Sequence, residues 1–234
     1  MAGRGRRTPP LRAACDRLHA SFGPQHWWPG RTRFEIIVGA ILTQNTAWSN
    51  VEKAIGLLRR DGLLDPKRLH AAPLRRVETR IRPAGYFRVK ARRLRSFTGF
   101  LVRAFGADLR RMFLVPTDRL RETLLDVHGV GPETADSILL YAGGRPVFVV
   151  DAYTRRLLER HGWVKPGASY DEIAALMRDA LPRRAAWYNE CHALIVALGK
   201  EYCRTRPRCS RCPLRRWFPR DRPRPDRRGS RGDP

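Results

Sequence analysis

The 234-residue sequence is short of acidic residues, of lysine and of cysteine, and it contains no long apolar run. Asp and Glu number 22 against 47 Lys and Arg, a formal charge of +25. Only five of the basic residues are lysine, namely Lys53, Lys67, Lys90, Lys165 and Lys200. An arginine bias this strong also follows from a GC-rich genome, so the arginine count alone is a weak functional argument. The net charge is a stronger one. A compact chain resists that much self-repulsion unless a polyanion shares it. Nucleic acid is the expected partner, and an acidic membrane surface the weaker alternative. No stretch of 18 apolar residues exists, which excludes a transmembrane helix. The basic start, MAGRGRRTPPLR, has no apolar stretch behind it and does not read as a secretory signal. Cysteine occurs five times, three of them within ten residues near the end. That pattern suits a reducing compartment and metal binding better than a disulfide framework, so a cytoplasmic location is expected. Strand signals are nearly missing too. Only residues 146–150 read as a strand, and one five-residue strand without a partner makes no sheet.

What is present is helix after helix. The length suits one large or two small domains and suffices to bury a core without disulfides. Residues 34–42 are too apolar for a surface helix and read as a buried one. Residues 50–60, 66–82, 88–105, 117–126, 132–142, 152–161, 169–180 and 185–202 fit helices bounded by Pro, Gly, Asp or Ser. An all-α architecture of nine or ten helices is expected. Residues 1–12, with four Arg, and 215–234, with eight Arg and three Asp, read as disordered basic ends.

The most informative segment runs from Leu125 to Leu140. One helix ends, Gly129-Val130-Gly131 turns the chain, and a second helix opens on Pro132, a position that tolerates a missing N–H. Val130 is expected to plug the core while the hairpin N–H groups point outward, as a phosphate site needs. This is a helix-hairpin-helix signature, with Gly129, Val130, Gly131 and Thr134 as candidate phosphate contacts. Asp151 follows shortly, after the apolar run Val147-Phe148-Val149-Val150. Its bland role is an N-cap. Its sharper role is a catalytic carboxylate that activates water or stabilises an oxocarbenium-like sugar cation.

Gly129-Val130-Gly131 followed by Val150-Asp151, with Leu42-Thr43-Gln44-Asn45-Thr46, resembles the helix-hairpin-helix DNA glycosylase superfamily of endonuclease III. The likeness covers roughly residues 25–214. It implies two helical domains with an active-site groove between them. A six-helix barrel at 31–144 carries the hairpin, and 13–30 joins 145–214 in the other domain. It also implies Asp151 as the catalytic carboxylate and Gln44 as the residue that fills the space left by a flipped base. Its implied partner is duplex DNA holding a damaged base, bound by a monomer. His26-Trp27-Trp28-Pro29 and the segment Arg82–Phe87 are similar to the 3-methyladenine glycosylase branch, which excises alkylated purines. Trp27 and Trp28 are then a stacking surface for the extruded base, and otherwise half-buried packing.

Two departures from the family pattern bear on chemistry. Bifunctional members carry a Lys two residues after the second hairpin Gly. Here Glu133 stands there, and a carboxylate forms no Schiff base. The resemblance therefore implies a monofunctional glycosylase. The rivals are a bifunctional glycosylase and apurinic-site lyase using another amine, and a DNA-binding module without catalysis. The second departure is in the cysteines. The family spaces four of them as C-x6-C-x2-C-x5-C around a [4Fe-4S] cluster. This chain has Cys203-x5-Cys209-x2-Cys212, with Phe218 in the fourth place. Three thiolates could hold a cluster with an outside ligand, a zinc ion with a fourth ligand unknown, or nothing. Cys191 stands about 18 Å from Cys203 along a helix at 1.5 Å per residue, too far for a fourth ligand, and so does His192. Lys90, Arg92, Arg93 and Arg95 form a basic stretch whose sign suits phosphate.

Overall fold

The structure, a computed structural model, describes residues 10–219. The expected basic arm at 1–9 and the tail from 220 onward lie outside the described residues. Twelve α-helices, three short 3-10 turns and one π-turn make up the described part, with no strand among the described residues. Two compact units divide it. One joins the residues up to Trp27 with those from Pro146 onward, and the other is Trp28–Arg145. The sequence reading places those divisions after residues 30 and 144. The observed division separates Trp27 from Trp28.

The unit Trp28–Arg145 is built around α2 (Arg33–Leu42), which buries eight of its ten residues. Thr32 caps it, its hydroxyl accepting from the Glu35 N–H at 3.1 Å. Ile37, Val38, Ile41 and Leu42 are fully enclosed, each burial contributing about 1.5–3 kcal/mol. α3 (Trp48–Arg60) turns Val51, Ala54, Ile55 and Leu58 inward at helical spacing. The expected helix over 66–82 is two helices, α4 (Pro66–Ala71) and α5 (Leu74–Ile81). Pro73 breaks it by lacking an N–H and by forcing Ala72 into an extended conformation (ψ 141°). α6 (Phe87–Phe105), α7 (Leu109–Leu114), α8 (Thr117–Leu125) and α9 (Pro132–Ser137) complete the unit, α9 running on into a π-turn at Ile138–Ala142.

The other unit holds α1 (Leu11–Phe22), α10 (Ala152–Arg160), α11 (Tyr170–Ala180) and α12 (Ala185–Glu201). α1 begins at Leu11, two residues before the expected boundary, because Leu11, Ala14, Cys15 and Leu18 form its buried stripe. α12 is the core helix, burying nine residues from Tyr188 to Gly199. Cys15 and Cys191 are joined as a disulfide between α1 and α12, their Cα atoms 5.6 Å apart. The sequence reading, which disfavoured disulfides, is corrected there. α10 closes on α12 at Gly199, where a Cβ would lie 2.2 Å from the Tyr153 ring. The apolar run 146–150 is an irregular connector. It buries Phe148, Val149 and Val150 without pairing to another segment. Order continues past residue 214, through buried Leu214 and a 3-10 turn at Arg215–Trp217.

Candidate active site

Asp151 stands where the apolar connector meets α10. One carboxylate oxygen accepts from the Thr154 N–H at 2.7 Å, so the residue is the N-cap of α10. Its other oxygen faces Nε2 of His192 on α12 at 3.6 Å, both side chains largely buried. Burial alone would push the Asp151 carboxyl up. The charge of nearby His192 and the Thr154 N–H bond outweigh it and hold the carboxyl below the usual range. His192 is a residue that sequence reading missed in this role. It lies 41 positions downstream, and only the packing of α10 on α12 brings it in.

The hairpin turns between α8 and α9. Gly129 adopts φ +87°, and a Cβ there would lie 2.2 Å from Arg93 Cγ, so glycine is required. Gly131 has an ordinary φ of −93° and open space around it. Val130 is buried as expected, but its N–H donates to the Val127 carbonyl at 2.9 Å and is not offered outward. No protein acceptor among the described residues takes the N–H of Gly129 or of Gly131. Thr134 is buried, and its hydroxyl accepts from Gln44 Nε2 at 2.9 Å. Its hydroxyl, expected at a phosphate, is turned to Gln44 as an internal brace. Asp136, also buried, takes a two-point bond from Arg121 at 2.7 and 3.2 Å, fixing α9 against α8.

The Gln44 amide is spoken for inside this unit. Nε2 also donates to the Gly129 carbonyl at 3.1 Å, and Oε1 accepts from Arg93. Lys90, expected among the phosphate-facing bases, is instead buried. Its ammonium donates to the carbonyls of Leu42 at 2.9 Å and Ala84 at 2.8 Å, and burial lowers its pKa to about 8. Arg95 likewise donates to the Ala72 carbonyl. Of the expected basic stretch only Arg92 is exposed. Lys90 thus ties together two turns, each containing a left-handed non-glycine residue, Asn45 (φ 54°) and Tyr86 (φ 44°). Tyr86 is 73% exposed.

Trp28 packs edge-on to Trp48, centroids 4.9 Å apart, and against Tyr141 of the π-turn at 4.9 Å. Gly39 leaves room for both indoles. Trp28 and Trp48 line an open cavity of about 440 Å³ together with Glu35, Glu52, Arg31 and Arg59. Glu35 is buried and paired with Arg59 at 2.7 Å. Trp27 belongs to the other unit, its ring 5.8 Å from the Lys200 ammonium. Trp48, Glu35 and Glu52 escaped sequence reading, since nothing local marks them.

The cysteine loop follows α12. Cys203, Cys209 and Cys212 are outside any disulfide and half-buried. They line one small cavity with His161, Arg160 and Phe218. Arg160 lies 3.4 Å from Cys203 Sγ and, with Arg156, donates to loop carbonyls. Burial pushes the Cys212 thiol up to about 11, with Cys203 and Cys209 adding to it. Burial also pushes the His161 ring down to about 4, against a hydrogen bond with the Trp217 backbone.

The profile of the HhH-GPD superfamily of base excision DNA repair proteins matches residues 38–183. The chain belongs to this superfamily. Over 198 residues it is 45% identical to a provisionally named DNA repair glycosylase of Methanocaldococcus jannaschii, covering 84% of this chain and 90% of the relative. A trapped covalent intermediate of endonuclease III with DNA superposes with a TM-score of 0.77 at 25% identity, over 89% of this chain and 93% of that one. The H. pylori 3-methyladenine DNA glycosylase bound to 1,N6-ethenoadenine superposes at 0.70 with 28% identity, over 82% and 95%.

Glu133 is exposed on the first turn of α9. No group of three or more His, Cys, Asp or Glu among the described residues is arranged to hold a metal ion. The zinc reading of the three cysteines therefore finds no support in their geometry. A cluster makes a different demand, because each ligand meets its own iron and the donors need not converge on one point. For that the donor set fits. Three cysteines outside any disulfide share a cavity with a buried imidazole whose Nδ1 has no partner.

Proposed function

We propose that this HhH-GPD protein is a monofunctional DNA glycosylase that hydrolyses the N-glycosidic bond of an alkylated purine flipped out of duplex DNA. The observation that carries the reading is Asp151, a buried carboxylate held ionised by Thr154 and His192. A carboxylate whose pKa is depressed retains a proton poorly, so it is a weak general base. It is well suited to stabilising positive charge that develops at the sugar as the base departs. The base leaves with the bonding electrons, and water then adds to the anomeric carbon and loses its proton to solvent. Two accepted contacts leave the carboxylate with spare acceptor capacity.

The Trp28 and Trp48 cavity supports the substrate class. Indole faces attract a cationic ring, while the two glutamates of the cavity, Glu35 and Glu52, are matched by Arg59 and Arg31. An alkylated purine carries positive charge and a weakened glycosidic bond, and so needs less help to leave. Gly129 and Gly131, whose N–H groups have no protein acceptor, suit a DNA phosphate. Gln44, which would exchange its contacts with Gly129, Thr134 and Arg93 for the orphaned base edge, and exposed Tyr86 are the groups assigned to the DNA around the flipped nucleotide. Glu133 supplies no amine, which favours hydrolysis without strand cleavage.

The test is a panel of duplexes with one lesion each, with and without alkali. Base release from alkylated purines, strand cleavage only after alkali, and no borohydride-trapped adduct are expected. A strong adduct or cleavage before alkali establishes a lyase instead. Asp151→Asn is expected to abolish release while duplex binding stays within about tenfold, or ~1.4 kcal/mol. Since loss of a cap costs about 0.5–2 kcal/mol, its folding is checked by thermal unfolding. Near-normal excision by this variant reduces Asp151 to a cap, whereas duplex binding by the wild-type protein without release of any base favours the non-catalytic DNA-binding module.

A further inference from the structure

The cysteine loop lacks the family's fourth thiol, and the structure places another donor beside the gap. Phe218 occupies the fourth family position, and its ring lies 5.7 Å from that of His161, the residue that ends α10. His161 is 7% exposed. Its Nδ1 has no hydrogen-bond partner, although a buried polar atom left unsatisfied costs about 1–3 kcal/mol. The cavity that His161 lines is the one lined by Cys203, Cys209 and Cys212.

We propose that His161 is the fourth protein ligand of a [4Fe-4S] cluster whose other ligands are Cys203, Cys209 and Cys212. On assembly the three thiols lose their protons to solvent, and Nδ1 gives its lone pair to the fourth iron. The orphaned nitrogen then has a partner. Arg160, at 3.4 Å from Cys203 Sγ, supplies a cationic donor to a ligand sulfur, one of the contacts by which a protein tunes such a centre. A ligand from the end of α10 would stand in for the missing fourth cysteine. Cys191 and His192 are both accounted for elsewhere, in the bond to Cys15 and the contact with Asp151.

The test uses the full chain purified without oxygen, and its readouts are metal content and spectra, so it is independent of the glycosylase assay. About four iron and four sulfide per chain are expected, as for a cubane cluster. Pulsed electron paramagnetic resonance of the reduced protein, grown on nitrogen-15 histidine, should show nitrogen coupling to the cluster. His161→Ala should lose one iron and give a three-iron signal when oxidised. His161→Cys should keep all the iron, lose the nitrogen coupling and shift to a lower reduction potential. It also guards against misreading a folding defect in the Ala variant. Metal-free wild-type protein, zinc in place of iron, an absent nitrogen coupling, or an Ala variant with full iron and unchanged spectra would each overturn the assignment.

Discussion

Asp151 uses its two oxygens for different ends. One caps α10 through the Thr154 N–H at 2.7 Å, and the other meets His192. The cap was legible in the sequence, since an Asp between an apolar run and a helix has few other local roles. The partner was not, because no local rule connects positions 151 and 192. The pair carries a pH prediction. His192 lowers the Asp151 pKa and burial raises it. Replacing His192 with Gln removes the larger lowering influence and leaves burial opposed by Thr154 alone. The acid limb of the kcat/KM profile for base release should therefore move to higher pH in His192→Gln. An unmoved limb, with the fold intact, would show that His192 does not set the charge on Asp151.

At the scale of elements, the hairpin glycines look equivalent in sequence and are not in space. Gly129 needs a positive φ and lies against the Arg93 stem, whereas Gly131 needs neither. Gly129→Ala should cost about 1–2 kcal/mol for the left-handed backbone, plus whatever moving Arg93 away from Gln44 adds. Gly131→Ala should stay within about 0.5 kcal/mol. Chemical denaturation of both variants checks this, and equal losses would contradict it. Helix periodicity was readable wherever a long amphipathic stripe existed, as in α3, α6 and α11. α7, six residues long, was missed because so short a segment carries no periodic signal. The break at Pro73 had a local cause that the apolar spacing on either side concealed.

For the whole molecule, the charge of +25 acts in two opposite ways. Self-repulsion opposes the compact state, and attraction to phosphate favours the complex. Salt screens both, over a Debye length of about 10 Å at 0.1 M. Raising salt from about 20 to about 200 mM should raise the Tm of the free protein by screening its self-repulsion. The same change should weaken duplex binding by roughly tenfold or more, with log K falling linearly in log salt. Calorimetry and a binding titration across that range check the two signs. Duplex affinity indifferent to salt would remove phosphate contacts from the account.

The sequence by itself settled the all-helical class, the hairpin, the position of Asp151, the absent hairpin lysine and the three-cysteine loop. These features are written in local spacing: helical period, glycine pairs, an acid after an apolar run, thiols a few residues apart. Only the tertiary structure decided which groups meet. It buried Lys90 beneath two carbonyls, turned Thr134 inward to Gln44, and parted Trp28 from Trp27 to pack it on Trp48. It also brought His192 to Asp151 and His161 to the cysteines. The reason is physical. Charge sign and periodicity are properties of neighbours along the chain, whereas the fate of a polar side chain depends on which acceptors helix packing places within about 3 Å of it.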